Sequence, residues 1–424
     1  MNTALRRCTV LTAVLAIGIR NAQAQQEYPT QFSPALPEQP TVRAALAYVD
    51  DHFDEHVAEW IHITQTSAPS RQEGKRAIYV REQMEAQGLE VSTDSIGNVV
   101  GIMRGTGDGP TIVFGAHMDT VHPIETDVTV TRKDGRLYAP GVFDNSASVA
   151  NMLAAIRAMR AANLTVKGNV IFIGTVQEEL GLIGMSYWLD HNKGVPDMLV
   201  GLDGGLGAVR YGALGIYWSR MVFTGEGSHT NTSPGKPHPA KAAARCILDI
   251  YDIPLPARNA PVRAVYNVGM LSGGHVVNAI PQRVSFTVDL RTVDPVMLAR
   301  LDSAIVNTCE SAAGSEGVGF HREWIQRNEA GGRPEHLASK RAHPLVQTAV
   351  DILQYLGWDF GNDPTTVASG STDANAGVVR DIPSVSVGRS RGGDQHTLRE
   401  WADIESARIG TKQIVLLVAA LAQT

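Results

Sequence analysis

His117 and Asp119 stand two residues apart just after the apolar run 111–116, in Phe114-Gly115-Ala116-His117-Met118-Asp119-Thr120-Val121. An imidazole in that position can bind a metal through one ring nitrogen, while an acidic neighbour holds the other N–H and fixes the tautomer. A His-x-Asp triplet alone is commonplace. Its weight comes from ligand-type residues further along: Asp144 in Gly141-Val142-Phe143-Asp144-Asn145, the pair Glu178-Glu179, Asp203 and His396. Glu178 and Glu179 follow the strand-like run 169–176, Asp203 follows 197–202, and His396 lies on the loop after 383–387. In an open α/β sheet, ligands gather beyond the carboxyl ends of the strands, so these side chains can meet at one edge.

Two histidines (His117, His396) and three carboxylates (Asp144, Glu179, Asp203), with no cysteine among them, suit zinc, or cobalt or manganese in its place. That set exceeds what one tetrahedral catalytic zinc takes while keeping an open position. Two ions sharing one carboxylate and a water account for it better. Glu178, beside a ligand but free itself, is then the candidate general base for that water.

The elements that would position these residues alternate. Amphipathic helices are expected at 42–66 and 72–87, strands at 89–93, 98–103 and 111–116, a helix at 146–162, a strand at 169–176, a helix at 184–191 and a strand at 197–202. Such alternation predicts an α/β fold with a mostly parallel sheet flanked by helices. After Tyr211 the order changes to strand 216–224, helix 238–251, strands 262–271 and 283–291, helix 295–313 and strand 318–324. This βαββαβ order predicts a small two-layer domain inserted in the first. The expected division is 1–24 as a signal peptide, 25–212 and 329–424 as the two parts of a catalytic domain, and 213–328 as the insert.

Composition narrows the class. The chain has 424 residues, 43% of them apolar and 19% charged, and a net charge of −6. A soluble globular protein fits these values, and nothing in them argues for a nucleic-acid partner. Arg6 and Arg7, an apolar run over 8–19 and Ala22-Gln23-Ala24 together read as a cleavable secretory signal. A periplasmic or secreted protein without a membrane anchor after cleavage is expected. Cleavage leaves Cys246 and Cys309, which an oxidising compartment allows to pair or to remain as buried thiols.

The chain resembles the dinuclear-zinc exopeptidase and amidohydrolase family of glutamate carboxypeptidase, aminoacylase, succinyl-diaminopimelate desuccinylase and tripeptidase. The matching pieces are Gly115-Ala116-His117-Met118-Asp119, Gly141-Val142-Phe143-Asp144-Asn145, Glu178-Glu179, Asp203, Gly227-Ser228-His229 and Asn278-Ala279-Ile280-Pro281. Asp289-Leu290-Arg291, Gly370-Ser371-Thr372-Asp373 and His396 with Glu400 complete them. The resemblance implies that Asp144 bridges two ions, with Glu179 and His396 completing one position and His117 and Asp203 the other. It further implies that Asp119 orients His117 and that Glu178 moves a proton from water to the departing amine. The insert would be a lid and homodimerisation surface, from which His229 reaches the partner subunit's site, with Asn278 and Arg291 gripping substrate. A cis peptide at Asp144-Asn145 is also implied. Asn375 stands where many relatives carry a carboxylate-gripping arginine, and Arg389 and Arg391 are candidate substitutes.

The function expected is thus a metal-dependent exopeptidase acting on small peptides. The alternatives are an amidohydrolase acting on N-acyl amino acids and, from another class, a non-catalytic binding protein on the same fold.

Overall fold

The structure is a computed structural model that describes residues 28–358 and 366–424. The expected signal peptide lies outside the described residues. The first helical stretch divides into α1 (Pro40–Asp51) and α2 (Phe53–Gln65), where a single helix over 42–66 is expected. His52 leaves helical geometry, with φ −111° and ψ 23°, and its ring stacks on Tyr48. Asp54 and Glu55 then fill the first turn of α2, where the helix dipole favours negative charge.

α3 (Gly74–Ala86) leads into β1 (Glu90–Thr93), β2 (Val99–Met103) and β3 (Ile112–His117). A small hairpin, β4 (Thr131–Lys133) and β5 (Arg136–Tyr138), precedes the tight turn Val142–Ser146 and α4 (Ala147–Ala161). β6 (Val170–Thr175), α5 (Ile183–His191), β7 (Met198–Leu202) and β8 (Val209–Arg210) follow. The insert then contributes β9 (Gly215–Thr224), β10 (Ser228–His229), α6 (Pro239–Tyr251), β11 (Ala264–Gly273), β12 (Ala279–Ile280), β13 (Arg283–Thr292), α7 (Pro295–Glu316) and β14 (Gly319–Asn328). The chain returns through α8 (Pro334–Arg341), α9 (Pro344–Tyr355), β15 (Thr366–Val367), α10 (Ala374–Val378), β16 (Ser384–Val387), β17 (Gly392–Gly393), β18 (Trp401–Asp403) and α11 (Ile404–Leu421).

The large sheet runs β1-β2-β6-β3-β7-β16-β8-β15. Its centre is parallel, from β6 through β3 and β7 to β16, and its antiparallel pairs lie outside that centre. Alternation along the strands explains why both faces are covered. Ile112, Phe114 and Ala116 of β3 and Val170 and Phe172 of β6 join α1, α2, α4, α9 and α11 in the main core. Val113, Ile171 and Ile173 face the other way, onto Met185, Trp188 and Leu189 of α5 and Ala376 of α10. The result is three layers whose parallel strands all deliver their carboxyl ends to one edge.

The second sheet is antiparallel, in the order β11-β13-β9-β14. Tyr217, Met221, Phe223, Phe286, Val288 and Leu290 pack beneath α6 and α7 in a core of their own. Cys246 of α6 and Cys309 of α7, both fully buried, are joined as a disulfide with 2.08 Å between the sulfurs. Both sulfurs sit on the apolar faces where the two helices meet, so each thiol finds the other.

Candidate metal centre

Four of the site residues lie at or just beyond strand ends of the large sheet, and two come from loops beside them. His117 is the last residue of β3. Glu178 and Glu179 lie on the short loop between β6 and α5, and Asp203 directly follows β7. His396 sits on the loop between β17 and β18 in a left-handed conformation, φ 63°. Asp144 comes from the turn ahead of α4, and its peptide bond to Asn145 is cis.

These side chains converge. Nε2 of His117 lies 3.3 Å from Oδ1 of Asp144, and Nε2 of His396 lies 3.4 Å from Oδ2 of Asp144 and 3.3 Å from Oε1 of Glu179. Donor atoms of His117, Asp144 and Glu179 fall within 4.8 Å of one another, as do those of His117, Glu178 and Asp203. The two sets share His117, so two adjoining ion positions can be drawn from one cluster. The fit is supported by the charge of the cluster: Asp144, Glu178, Glu179 and Asp203 bring four carboxyls to one cavity, with Arg389 against Asp144 and Asp203 as a fixed cation among them. Carboxylates gathered in a partly desolvated site repel one another unless further cations compensate them.

Electrostatics within the cluster run in opposite directions. Burial alone would push the Asp144 carboxyl up, but the Arg389 guanidinium and the imidazoles of His117 and His396 hold it well below the usual range. Burial pushes Glu178 well above the ordinary carboxylate value, with Glu179, Asp203 and Asp373 adding like charge and His117 opposing. A carboxyl raised in this way takes up a proton more readily than a free one, the direction a proton-shuttling group needs.

Two buried carboxylates brace the loops. Asp119 faces Nδ1 of His117 with its backbone carbonyl at 3.1 Å and its carboxylate at 3.5 Å. The Asp119 carboxylate also accepts the backbone N–H of Glu178 at 3.0 Å and of Glu179 at 3.2 Å, and the Ser70 hydroxyl at 2.6 Å. Glu400 accepts the backbone N–H groups of Gly141, Phe143 and Asp144.

A cavity of about 420 Å³ opens over the cluster, lined by His117, Asp144, Glu178, Glu179, Asp203 and His396. The insert supplies its far wall through Ile216, Trp218, Arg291 and Gln326. Ile216 pairs with Arg291 and Trp218 with Gln326 across neighbouring strands, so the four form one patch of the small sheet. Arg210 reaches the cavity from β8, and its Nη1 is buried without a partner among the described residues. A side chain on Gly204 (φ 90°) or Gly370 would collide with it.

Arg291 therefore lies where substrate would, whereas His229 and Asn278 do not line this cavity. His229 lies on β10 and Asn278 just ahead of its partner strand β12, with Nε2 of His229 3.5 Å from Nδ2 of Asn278. Asn375 is buried and donates to the Gly370 carbonyl at 2.7 Å. Arg391 sits over the Trp358 ring. Sequence reasoning missed Arg210, Trp218 and Gln326. Arg210 carries only the weak signal of a charged residue in a short apolar context, and the other two depend on cross-strand register.

A three-layer α/β scaffold with clustered histidines and carboxylates at the strand ends defines a metallohydrolase. The chain belongs to the peptidase family M20/M25/M40, whose model matches residues 113–420. It is 23% identical to an N-carbamoyl-L-amino-acid amidohydrolase of Pseudomonas sp. (strain NS671) over 395 residues, which cover 82% of this chain and 91% of the relative. The fold is shared with aminopeptidase PepT of Bacillus cereus ATCC 10987, with a TM-score of 0.70 and 22% identity over 88% of this chain and 99% of that one. It is shared as well with YXEP of Bacillus subtilis, described as a dinuclear metal binding peptidase of the M20 family, with a TM-score of 0.64 and 18% identity over 88% and 100% of the two chains.

Proposed function

We propose that this protein is an exported exopeptidase that hydrolyses the amide bond of small peptides with two divalent ions, zinc first among them. Asp144 would be held in common, Glu179 and His396 would complete one position, and His117 and Asp203 the other. The ions would polarise the scissile carbonyl and offset the charge that develops on its oxygen. Glu178, raised by burial and aimed into the same cavity, would take a proton from the attacking water and deliver it to the leaving amine.

The observation that carries this reading is the convergence of six ligand- and base-type side chains in one cavity, into which Arg210 and Arg291 also reach. Arg210, whose Nη1 has no partner among the described residues, suits a substrate with a free carboxylate, Arg291 lies close by paired with Asp289, and 420 Å³ suits a small substrate. A second reading, an amidohydrolase acting on N-acyl or N-carbamoyl amino acids, is favoured by the relative from Pseudomonas, whose likeness spans most of both chains.

His229 and Asn278, set apart from this chain's own cavity, fit a homodimer in which a partner's His229 completes the site. β11 supports this as an outer strand of the small sheet with Val265, Met270 and Leu271 exposed. Export rests on the charged, apolar and small-residue order of the first 24 residues.

A panel of dipeptides, tripeptides, N-acetyl and N-carbamoyl amino acids, assayed with and without zinc after chelation, tests the proposal. Zinc-restored release of amino acids from the peptides is expected. Turnover of the acylated amino acids alone would shift the assignment to the second reading, and no zinc-dependent turnover would overturn both.

A further inference from the structure

Arg389 follows β16 and is buried to 2% exposure in the floor of the cluster. Its Nη1 donates to Oδ1 of Asp203 and, at 2.9 Å, to Oδ1 of Asn145, while Nη2 lies 3.1 Å from Oδ1 of Asp144. Its guanidinium carbon sits 4.1 Å over the Phe143 ring. The backbone is pinned as well: the Arg389 N–H donates to the Gly204 carbonyl at 3.1 Å, and Nδ2 of Asn151 donates to the Arg389 carbonyl at 2.8 Å. A guanidinium so held is a permanent charge with one place to be.

That charge is not shared evenly. Oδ1 of Asp144, the oxygen beside Arg389, is the one that faces Nε2 of His117. Oδ2 of the same carboxylate faces His396 and lies on the side of Glu179. Of the two ion positions the cluster offers, the one built on His117 and Asp203 therefore has a fixed cation against both of its aspartates. The one built on Glu179 and His396 keeps a carboxylate oxygen that the guanidinium does not touch.

We propose that Arg389 is a positioning residue that makes the two metal positions unequal. It holds Asp144 and Asp203 in place and occupies part of their charge, so the Glu179–His396 position fills first and the His117–Asp203 position binds its ion more weakly. This rests on the dinuclear reading given under Proposed function. Like charge close to a divalent ion in a partly desolvated site is a strong penalty, and a gap of at least a hundredfold between the two dissociation constants is expected.

Competition between the purified full chain and a chromophoric zinc chelator, at fixed pH and salt, measures both constants without reference to activity. In the unaltered protein, two ions per chain with constants a hundredfold or more apart are expected. Arg389→Gln keeps a side-chain donor and drops the charge. It should tighten the weaker position tenfold or more while leaving the tighter one within about threefold. Arg389→Lys should preserve the wide gap, and thermal melting of each variant identifies any that has failed to fold. Two ions of equal affinity in the unaltered chain would overturn the role of Arg389 and leave the dinuclear reading standing. So would an Arg389→Gln variant that stays folded yet binds the weaker ion no better. Uptake of no zinc at all would overturn the dinuclear reading itself.

Discussion

The carboxylate of Glu400 accepts the backbone N–H of Asp144 at 2.7 Å, across 256 residues of chain. The same oxygen takes the N–H of Phe143 at 2.8 Å, and its companion takes that of Gly141 at 3.0 Å. Three donors on one fully buried carboxylate fix the turn that presents Asp144, so Glu400 acts on the metal centre without touching it. Glu400→Gln replaces one acceptor with an amide that points a donor at N–H groups. Loss of such an outer partner typically costs 10–100-fold in metal affinity or activity, and a fall of about that size in zinc affinity is expected. Chelator competition measures it, and unchanged affinity would show that the turn holds its shape unaided.

Glu178 separates base from ligand. Its carboxylate stands within 4.8 Å of donor atoms on both His117 and Asp203, a geometry open to either role. As a base, Glu178→Gln should lower kcat by about 10²–10⁴-fold and leave the zinc content as it was. A drop in zinc per chain would instead make Glu178 a ligand. Parallel metal analysis and steady-state kinetics decide the matter.

Strand-end reasoning was enough to bring His117, Glu178, Glu179 and Asp203 to one edge, because buried parallel strands announce themselves as β-branched apolar runs. Asp144 and His396 sit on irregular loops, so only their place ahead of a helix and after the run 383–387 brings them to that edge, and which ion each would hold comes from the resemblance alone. What stayed illegible is long-range and polar. The bonds from Arg389 to Asp203 and from the Asp144 turn to Glu400 have no periodicity, and nothing in the sequence aims a guanidinium. Two-residue strands such as β8 and β15 are too short to show alternation. The break at His52 was legible in hindsight, because Asp54 and Glu55 mark a helix start within what looked like one continuous apolar stripe.

The Cys246–Cys309 bridge closes a loop of 63 residues around the core of the small sheet. In the chain-entropy account, a loop of that size stabilises the folded state by about 4 kcal/mol, because the unfolded chain has fewer conformations to lose. Cys246→Ala together with Cys309→Ala should lower the thermal midpoint and the guanidinium midpoint. Zinc content should be unaffected, since neither cysteine lies near the cluster. Equal midpoints with and without the bridge would contradict this.

His56 gives the fold a sensitivity to acid that is separate from the metal centre. It is buried on α2, where burial first and the charge of Arg157 second push its pKa down to about 3, with Asn151 opposing. Unfolded, the same imidazole titrates near 6.5. Above that pH both states are neutral and the side chain costs nothing. Below it the unfolded chain takes up a proton that the folded chain refuses, so stability falls as pH drops from about 6.5 towards 3. Between pH 6.5 and 5 the loss is about 2 kcal/mol, at about 1.4 kcal/mol for each unit. His56→Gln removes the titrating ring while keeping a polar side chain. Guanidinium unfolding of both proteins at pH 7.5 and 5.0, with chelator throughout, isolates the His56 contribution from that of the carboxylates. The unaltered chain should lose about 2 kcal/mol more than the variant on acidification, and equal losses would place the acid sensitivity elsewhere.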